Sequence, residues 1–157
     1  MKILYTAFNG KTNSSKILLD NIVSENKLYL KNSFTTSVKQ LNSKIKNNNY
    51  DLIVSFGQAP LDKDTIRIET RGNKIDYFDT DYDYSILKKL FEENGFNTIV
   101  SKNAGNYLCN NIYYNGLKCI KENGLKCKMI FIHIPKIANI SNIELLANII
   151  SFNKMEE

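Results

Sequence analysis

The chain has 157 residues, 43% of them hydrophobic and 24% charged, a composition typical of a soluble globular protein with one domain over residues 1–157. No run approaches 18 consecutive apolar residues, so no membrane-spanning segment is expected. The net charge is +5, but 19 of the 21 basic residues are Lys spread along the chain, which favours a solvated surface over a nucleic-acid-binding face.

Apolar, strand-like segments alternate with segments of helical periodicity, a pattern typical of α/β proteins. The first half predicts strands over 2–6, 27–30 and 51–57, the last of which ends in a glycine turn. Asn13-Ser14-Ser15 supplies N-cap candidates for a first helix running to about Val23, and a second helix is predicted over 34–45.

The second half predicts strands over 65–69, 98–100 and 127–133, and helices over 84–94, 106–122 and 142–152. Between them, the polar and aromatic stretch 72–83 is predicted to be a loop with extended pieces. We expect a three-layer α/β/α sandwich with a mostly parallel, mixed central sheet. In such sheets, sites form beyond the carboxyl ends of the strands, and the candidate residues described below lie at strand or helix ends.

The strongest chemical signal is the segment 101–114, Ser-Lys-Asn-Ala-Gly-Asn-Tyr-Leu-Cys-Asn-Asn-Ile-Tyr-Tyr. It places Cys109 in or near the first turn of a helix, where free N–H groups and a partial positive charge favour the nucleophilic thiolate. The only histidine, His133, closes an apolar strand, on the face opposite its isoleucine neighbours. This arrangement suggests a Cys–His hydrolase, and the alternatives are a buried structural thiol and a core histidine.

The other two cysteines, Cys119 and Cys127, are interpreted as small buried hydrophobic residues. Three cysteines without a Cys-x-x-Cys pair fit a reducing compartment and argue against both a disulfide framework and a zinc site. The apolar part of Met1–Thr6 is too short for a signal peptide and predicts a first strand. We therefore expect a cytoplasmic protein without a bound metal.

The motif Ser-x-x-Ala-Gly-x-Tyr-Leu-Cys-Asn, followed by an apolar strand that ends His-x-Pro, resembles the pyroglutamyl peptidase I family, the pyrrolidone-carboxylate peptidases. In that family the cysteine is the nucleophile and the histidine is its base. A further segment resembles the family's Gly-x-Ala turn and the glutamate-ended strand after it, here Gly57–Pro60 and Ile66–Glu69. The resemblance assigns the glutamate that orients the histidine to Glu69. The alternative is a surface carboxylate or an ion pair with Arg67 or Arg71.

The resemblance implies a cysteine peptidase that removes an N-terminal pyroglutamyl residue from peptides, without a metal or organic cofactor, as a homo-oligomer with the tetramer as one candidate. The substrate-binding candidates are Phe8, Asn13, Gln58 and Tyr107. Gln58 offers both a donor and an acceptor, which suits a lactam ring, although it can also be an ordinary turn residue.

The N-terminal segment departs from the family pattern Thr-Gly-Phe-x-Pro-Phe-Gly-Gly. This chain has Thr6-Ala7-Phe8-Asn9-Gly10, so one aromatic residue remains where the family has two, and the loop is shorter. The departures affect the substrate pocket more than the Cys–His pair. Three alternatives therefore remain, namely a hydrolase of another small amide or blocked amino acid, a non-catalytic small-ligand binding protein, and a basic nucleic-acid-binding domain.

Overall fold

The structure is a computed structural model that describes residues 1–151. Its strands are β1 (Ile3–Phe8), β2 (Lys27–Leu30), β3 (Leu52–Gln58), β4 (Thr65–Glu69), β5 (Arg71–Asn73), β6 (Tyr77–Asp79), β7 (Asn97–Ser101) and β8 (Lys128–Ile134). Its helices are α1 (Ser14–Asn21), α2 (Phe34–Lys46), α3 (Ser85–Glu93), α4 (Leu108–Glu122) and α5 (Ile143–Ile150), with a short 3₁₀ turn at Ile137–Asn139.

Six strands form the central sheet, in the order β2-β1-β3-β8-β4-β7. The first four of these are mutually parallel, whereas β4 runs antiparallel to β8 and parallel to β7. Helices cover both faces of the sheet, so the expected sandwich with a mostly parallel, mixed sheet is confirmed. No helix within residues 1–151 is both long and apolar enough to cross a membrane.

Successive side chains of a strand point to opposite faces of the sheet, and each face has its own core. On one face, Ile130 and Ile132 of β8 belong to a cluster that includes residues of α1, α3 and α5. On the other face, Met129 and Phe131 belong to a cluster that includes residues of α2 and α4. Strands β3 and β8 are therefore buried on both sides, as is usual for parallel strands covered by helices.

The predicted elements are confirmed, with ends displaced by about two residues or fewer. The predicted final helix, 142–152, extends past residue 151, so its last residue lies outside the described part of the chain, as do residues 152–157 of the predicted domain.

The stretch 72–83 differs from the prediction, because it contains part of a two-stranded hairpin, β5–β6, packed on α4. A Cβ atom at Gly72 would lie 2.6 Å from the backbone of Tyr114, so only glycine allows this close approach. The side chain of Asn110 bonds the backbone of Asn73 twice, accepting from N–H at 2.9 Å and donating to C=O at 2.6 Å. These tertiary contacts hold strands that are too short to show alternation in the sequence.

Candidate active site

The candidate residues meet at the carboxyl ends of two central strands. β3 and β8 are parallel neighbours, and Gly57 is the register partner of His133. The expected arrangement of parallel neighbouring strands therefore holds for Gly57 and His133 but not for Cys109. The strand before Cys109 is β7, which lies at the sheet edge and runs antiparallel to β8, so Cys109 reaches the site through the loop that leads into α4. On the other side of β8, β4 places Arg67 opposite His133 and Glu69 opposite Phe131.

Cys109 lies in the first turn of α4, which begins at Leu108. Its sulfur rests over the backbone of β3, because a Cβ atom built on Gly57 would lie only 2.6 Å from Cys109 Sγ. The same atom would lie 2.9 Å from Phe131 Cζ. The absence of a side chain at Gly57 thus makes the space that the sulfur occupies beside the strand of His133.

His133 and Glu69 form a buried pair. The Nδ1 atom of the imidazole lies 3.3 Å from Oε2 of Glu69, and the two residues are 3% and 0% exposed. The hydroxyl of Tyr113 donates to the backbone oxygen of Glu69 at 2.8 Å, which fixes the end of β4 against α4. Because Nδ1 faces the carboxylate, Nε2 is the ring nitrogen left for acid–base chemistry, and it forms no hydrogen bond with residues 1–151.

Arg67 is a member of the site that sequence reasoning did not assign to it. Its Nε atom lies 3.2 and 3.3 Å from the two carboxylate oxygens of Glu69, and its Nη2 atom lies 3.4 Å from Nδ1 of His133. Glu69 therefore faces the histidine and also forms the expected ion pair with Arg67, whereas the alternative of a surface carboxylate is wrong because Glu69 is fully buried. The i,i+2 spacing of Arg67 and Glu69 on one strand, which puts both side chains on one face, is the signal that indicates this pairing.

The environment of Cys109 favours the neutral thiol. Burial raises the pKa of the thiol from 9.0 to about 12; the Glu69 carboxylate adds to the rise and the Arg67 guanidinium opposes it. A helix N-terminus contributes about 0.3–1 kcal/mol, which is less than one pKa unit, and so does not offset this rise. Burial thus opposes the thiolate that the helix start was expected to favour, which leaves the proton of the sulfur to be removed by a base.

Two of the predicted substrate-binding residues hold the start of α1. The side-chain oxygen of Gln58 accepts from the backbone N–H of Ser14 at 2.9 Å. The side-chain oxygen of Asn13 accepts from N–H of Ser15 at 3.0 Å and from its hydroxyl at 2.6 Å, so the predicted N-cap is confirmed. The amide nitrogen of Gln58 forms no hydrogen bond with residues 1–151, so its donor is free for a ligand.

The two predicted aromatic wall residues differ in their surroundings. Phe8 is 3% exposed and belongs to the same core cluster as Leu108. Cys109 packs against this cluster. Tyr107, at the N-cap of α4, is 67% exposed and meets the ring of Phe34 edge-on at 5.4 Å between ring centres. Phe8 thus lies inside the core cluster against which Cys109 packs, whereas Tyr107 before α4 and Phe34 at the start of α2 are exposed.

The other cysteines are free thiols in buried positions. Cys119 lies in α4, and Cys127 directly precedes β8. Both are buried with the apolar residues of the core. Within residues 1–151, no group of three or more His, Cys, Asp and Glu side chains is arranged to hold a metal ion.

Comparison with known proteins identifies the family. The family model described as pyroglutamyl peptidase matches residues 70–150, which include Cys109 and His133. Pyrrolidone-carboxylate peptidase 1 of Caldanaerobacter subterraneus subsp. tengcongensis is 34% identical over 168 aligned positions, which cover 86% of this chain and 82% of the relative. The chain belongs to the pyroglutamyl peptidase family. The pyrrolidone-carboxylate peptidase of Clostridium perfringens is 28% identical, with 87% and 79% coverage.

Solved structures of the family share the fold. The pyrrolidone carboxyl peptidase of Fervidobacterium islandicum AW-1 matches with a TM-score of 0.84 and 21% identity, covering 98% of both chains. Pyroglutamyl peptidase I of Bacillus amyloliquefaciens matches with a TM-score of 0.81 and 17% identity, covering 96% of this chain and 93% of that one. The family resemblance expected from the Cys109 motif is confirmed. Glu69 and the residues predicted near the N-terminus lie outside the segment that the family model matches.

Proposed function

We propose that the protein is a cysteine peptidase that hydrolyses the N-terminal pyroglutamyl residue from peptides, with Cys109, His133 and Glu69 as its catalytic residues. One observation carries the proposal within this family: the Cys109 sulfur lies over Gly57, the strand partner of the only histidine, and that histidine faces Glu69.

The chemistry follows from the protonation states. Nε2 of His133 takes the thiol proton as the Cys109 sulfur attacks the pyroglutamyl carbonyl carbon. The imidazolium then gives this proton to the leaving amine as the C–N bond breaks, which leaves a thioester. Water attacks the thioester with His133 again as the base, pyroglutamate is released and the thiol is restored.

Two further groups stabilise charge in this scheme. Glu69 holds the imidazole through Nδ1 and favours the imidazolium that forms during attack. The backbone N–H groups in the first turn of α4 have no partner within the helix, and they donate to the oxyanion of the tetrahedral intermediate. The thiol is neutral at rest, so proton transfer and attack are coupled.

The structure supports one change to the expected recognition of the lactam ring. The Gln58 oxygen is committed to Ser14, so we propose that the amide nitrogen donates to the lactam carbonyl, while Phe8 packs against the apolar side of the ring. Tyr107 contacts the substrate on the solvent side. Asn13 acts on the pocket through the start of α1, which it caps.

The test is hydrolysis of a fluorogenic pyroglutamyl amide by the purified protein, with the Cys109→Ser variant as control. We expect turnover by the wild type, none by the variant, and little cleavage of alanyl or prolyl amides. A single aromatic wall predicts a higher KM than in a relative with two, since an aromatic contact contributes on the order of 1 kcal/mol, or roughly fivefold in affinity. Cleavage of prolyl amides at a comparable rate would contradict the role of Gln58.

A second candidate is the hydrolysis of another small amide or blocked amino acid by the same residues. The engagement of the Gln58 oxygen by Ser14 favours it, because a ligand that needs an acceptor at this position finds none there. Cleavage of the amide of another blocked amino acid, abolished in Cys109→Ser, together with no cleavage of pyroglutamyl amides, would support this candidate over the first.

The resemblance also supports a cytoplasmic homo-oligomer formed by one domain. Three free cysteines suit a reducing compartment. Light scattering of the purified protein measures the mass of the assembly directly. A mass equal to that of one 157-residue chain would contradict a homo-oligomer.

A further inference from the structure

Arg67 lies between the two residues that the proposed mechanism uses as a pair. It faces His133 across the β4–β8 register, and its guanidinium reaches both the Glu69 carboxylate and Nδ1 of the imidazole. Its side chain is 26% exposed, whereas that of Glu69 is fully buried, so Arg67 connects the buried pair to solvent.

Nδ1 of His133 has two possible partners of opposite kinds. Glu69 Oε2 at 3.3 Å can only accept a hydrogen bond when ionised, and Arg67 Nη2 at 3.4 Å can only donate one. A ring nitrogen of neutral imidazole either carries the proton and donates or carries the lone pair and accepts. Nδ1 therefore serves one partner at a time.

The choice of partner decides which ring nitrogen can act as the base. With the proton on Nδ1, the ring donates to Glu69 and the lone pair of Nε2 is free to take the Cys109 proton. With the proton on Nε2, Nδ1 accepts from Arg67 and the ring cannot deprotonate the thiol.

We propose that Arg67 is a positioning residue that competes with Glu69 for Nδ1 of His133 and thereby divides the neutral imidazole between a base-competent and a base-incompetent tautomer. The description of one tautomer as base-competent rests on the proposed function, whereas the competition of Arg67 and Glu69 for Nδ1 does not. Among residues 1–151, the charged groups that contact the ring are Arg67 and Glu69 from β4. From α4, Cys109 lies within electrostatic reach of Glu69 and Arg67, and Tyr113 bonds the backbone of Glu69, while β3 contributes Gly57 at this position.

The chain has one histidine, so the imidazole nitrogens give a single set of signals in ¹⁵N NMR spectra of the resting protein. We expect the neutral ring of the wild type to show a mixture of both tautomers. In Arg67→Met the ring keeps only its carboxylate partner, so the ratio of the Nε2–H to the Nδ1–H form falls about tenfold.

A second variant separates the charge of Arg67 from its hydrogen bond. Arg67→Lys keeps the positive charge, and a single ammonium beside Glu69 does not also hold Nδ1. We therefore expect the same direction of tautomer change in Arg67→Lys as in Arg67→Met.

The matched control is Arg71→Met, since Arg71 pairs with Asp79 and lies over Tyr77 instead of facing His133. Nitrogen signals of both Arg67 variants that match those of the control would overturn the inference. If Arg67→Met does not fold, the tautomer ratio in Arg67→Lys decides. The NMR measurement uses no substrate, so a failure to cleave pyroglutamyl amides would not change its result. Likewise, an unchanged tautomer ratio would not contradict the proposed peptidase activity.

Discussion

The two faces of the central sheet are built from the same strands and differ in what their side chains do. On the face covered by α1, α3 and α5, the buried strand residues are apolar from end to end, as in Ile130, Ile132 and Ile134 of β8. On the face covered by α2 and α4, β8 carries Met129, then Phe131, then His133 towards its carboxyl end.

The neighbouring strands show the same gradient on the second face. β3 passes from Ile53 through Ser55 to Gly57, and Ser55 shares a 2.7 Å hydrogen bond with Thr6 of β1. β3 and β8 thus anchor the fold with one set of alternate residues, and in the other set they present a polar or missing side chain at the carboxyl end. The difference suggests that substitutions on the two faces separate activity from stability.

The largest expected effect is on the face covered by α2 and α4. Cys109→Ala removes the proposed nucleophile, and we expect the activity on pyroglutamyl amides to fall by roughly 10⁴-fold or more, by analogy with other residues that act as a nucleophilic unit. The half-buried thiol contributes little to the core, so the unfolding midpoint in urea should stay close to that of the wild type. A large residual activity would contradict the role of Cys109.

A smaller loss of activity is expected from filling the space under the sulfur. In Gly57→Ala the new methyl would lie 2.6 Å from Cys109 Sγ, so the sulfur must move by about 1 Å, and kcat should fall on the order of 100-fold. Gly116→Ala is the control, because its Cβ meets the flexible Met129 Sδ at 2.5 Å on the same face, away from Cys109. Equal losses of kcat per folded protein in the two variants would contradict this reading of Gly57.

On the apolar face the expected change is in stability. Ile132→Ala removes a fully buried side chain next to His133 in sequence and should lower the free energy of unfolding by about 2–5 kcal/mol in urea titrations. The kcat of the folded fraction should stay within about twofold of the wild type. A kcat loss as large as that of Gly57→Ala would show that the two faces are not separable.

The smallest effect concerns the ionisation of Cys109. Because its pKa is raised to about 12, the thiolate fraction of the resting protein keeps growing as the pH rises above neutrality. The rate of iodoacetamide labelling at Cys109, in a variant with Ser at 119 and 127, should therefore rise throughout about pH 7–10. A plateau near neutral pH would instead indicate a resting thiolate stabilised by the helix start.

The residues that sequence reasoning placed well are those whose signals are local. The first turn of α4 follows an Ala-Gly turn, and His133 ends a strand whose alternation shows its face, so both positions follow from periodicity. Glu69 came from the family resemblance, and the structure brings it to Nδ1. The direction of β4 was open, since no local pattern distinguishes a parallel from an antiparallel partner.

The features that were missed depend on contacts between distant segments. The pairing of Arg67 with His133 requires the β4–β8 register, and the hairpin β5–β6 requires the surface of α4. The burial that opposes the ionisation of Cys109 was also missed, because helix position is visible in sequence, whereas burial is not.

The position of β8 in the sheet has a consequence for the time at which the site forms. β8 is the last strand within residues 1–151, yet it lies between β3 and β4, which make no ladder with each other without it. Until the ribosome has released residues 128–134, the nascent chain holds Cys109 and Glu69 but neither the histidine nor the strand that joins them. Because such long-range pairing forms late, we expect the candidate site to assemble only when nearly the whole described chain has been synthesised.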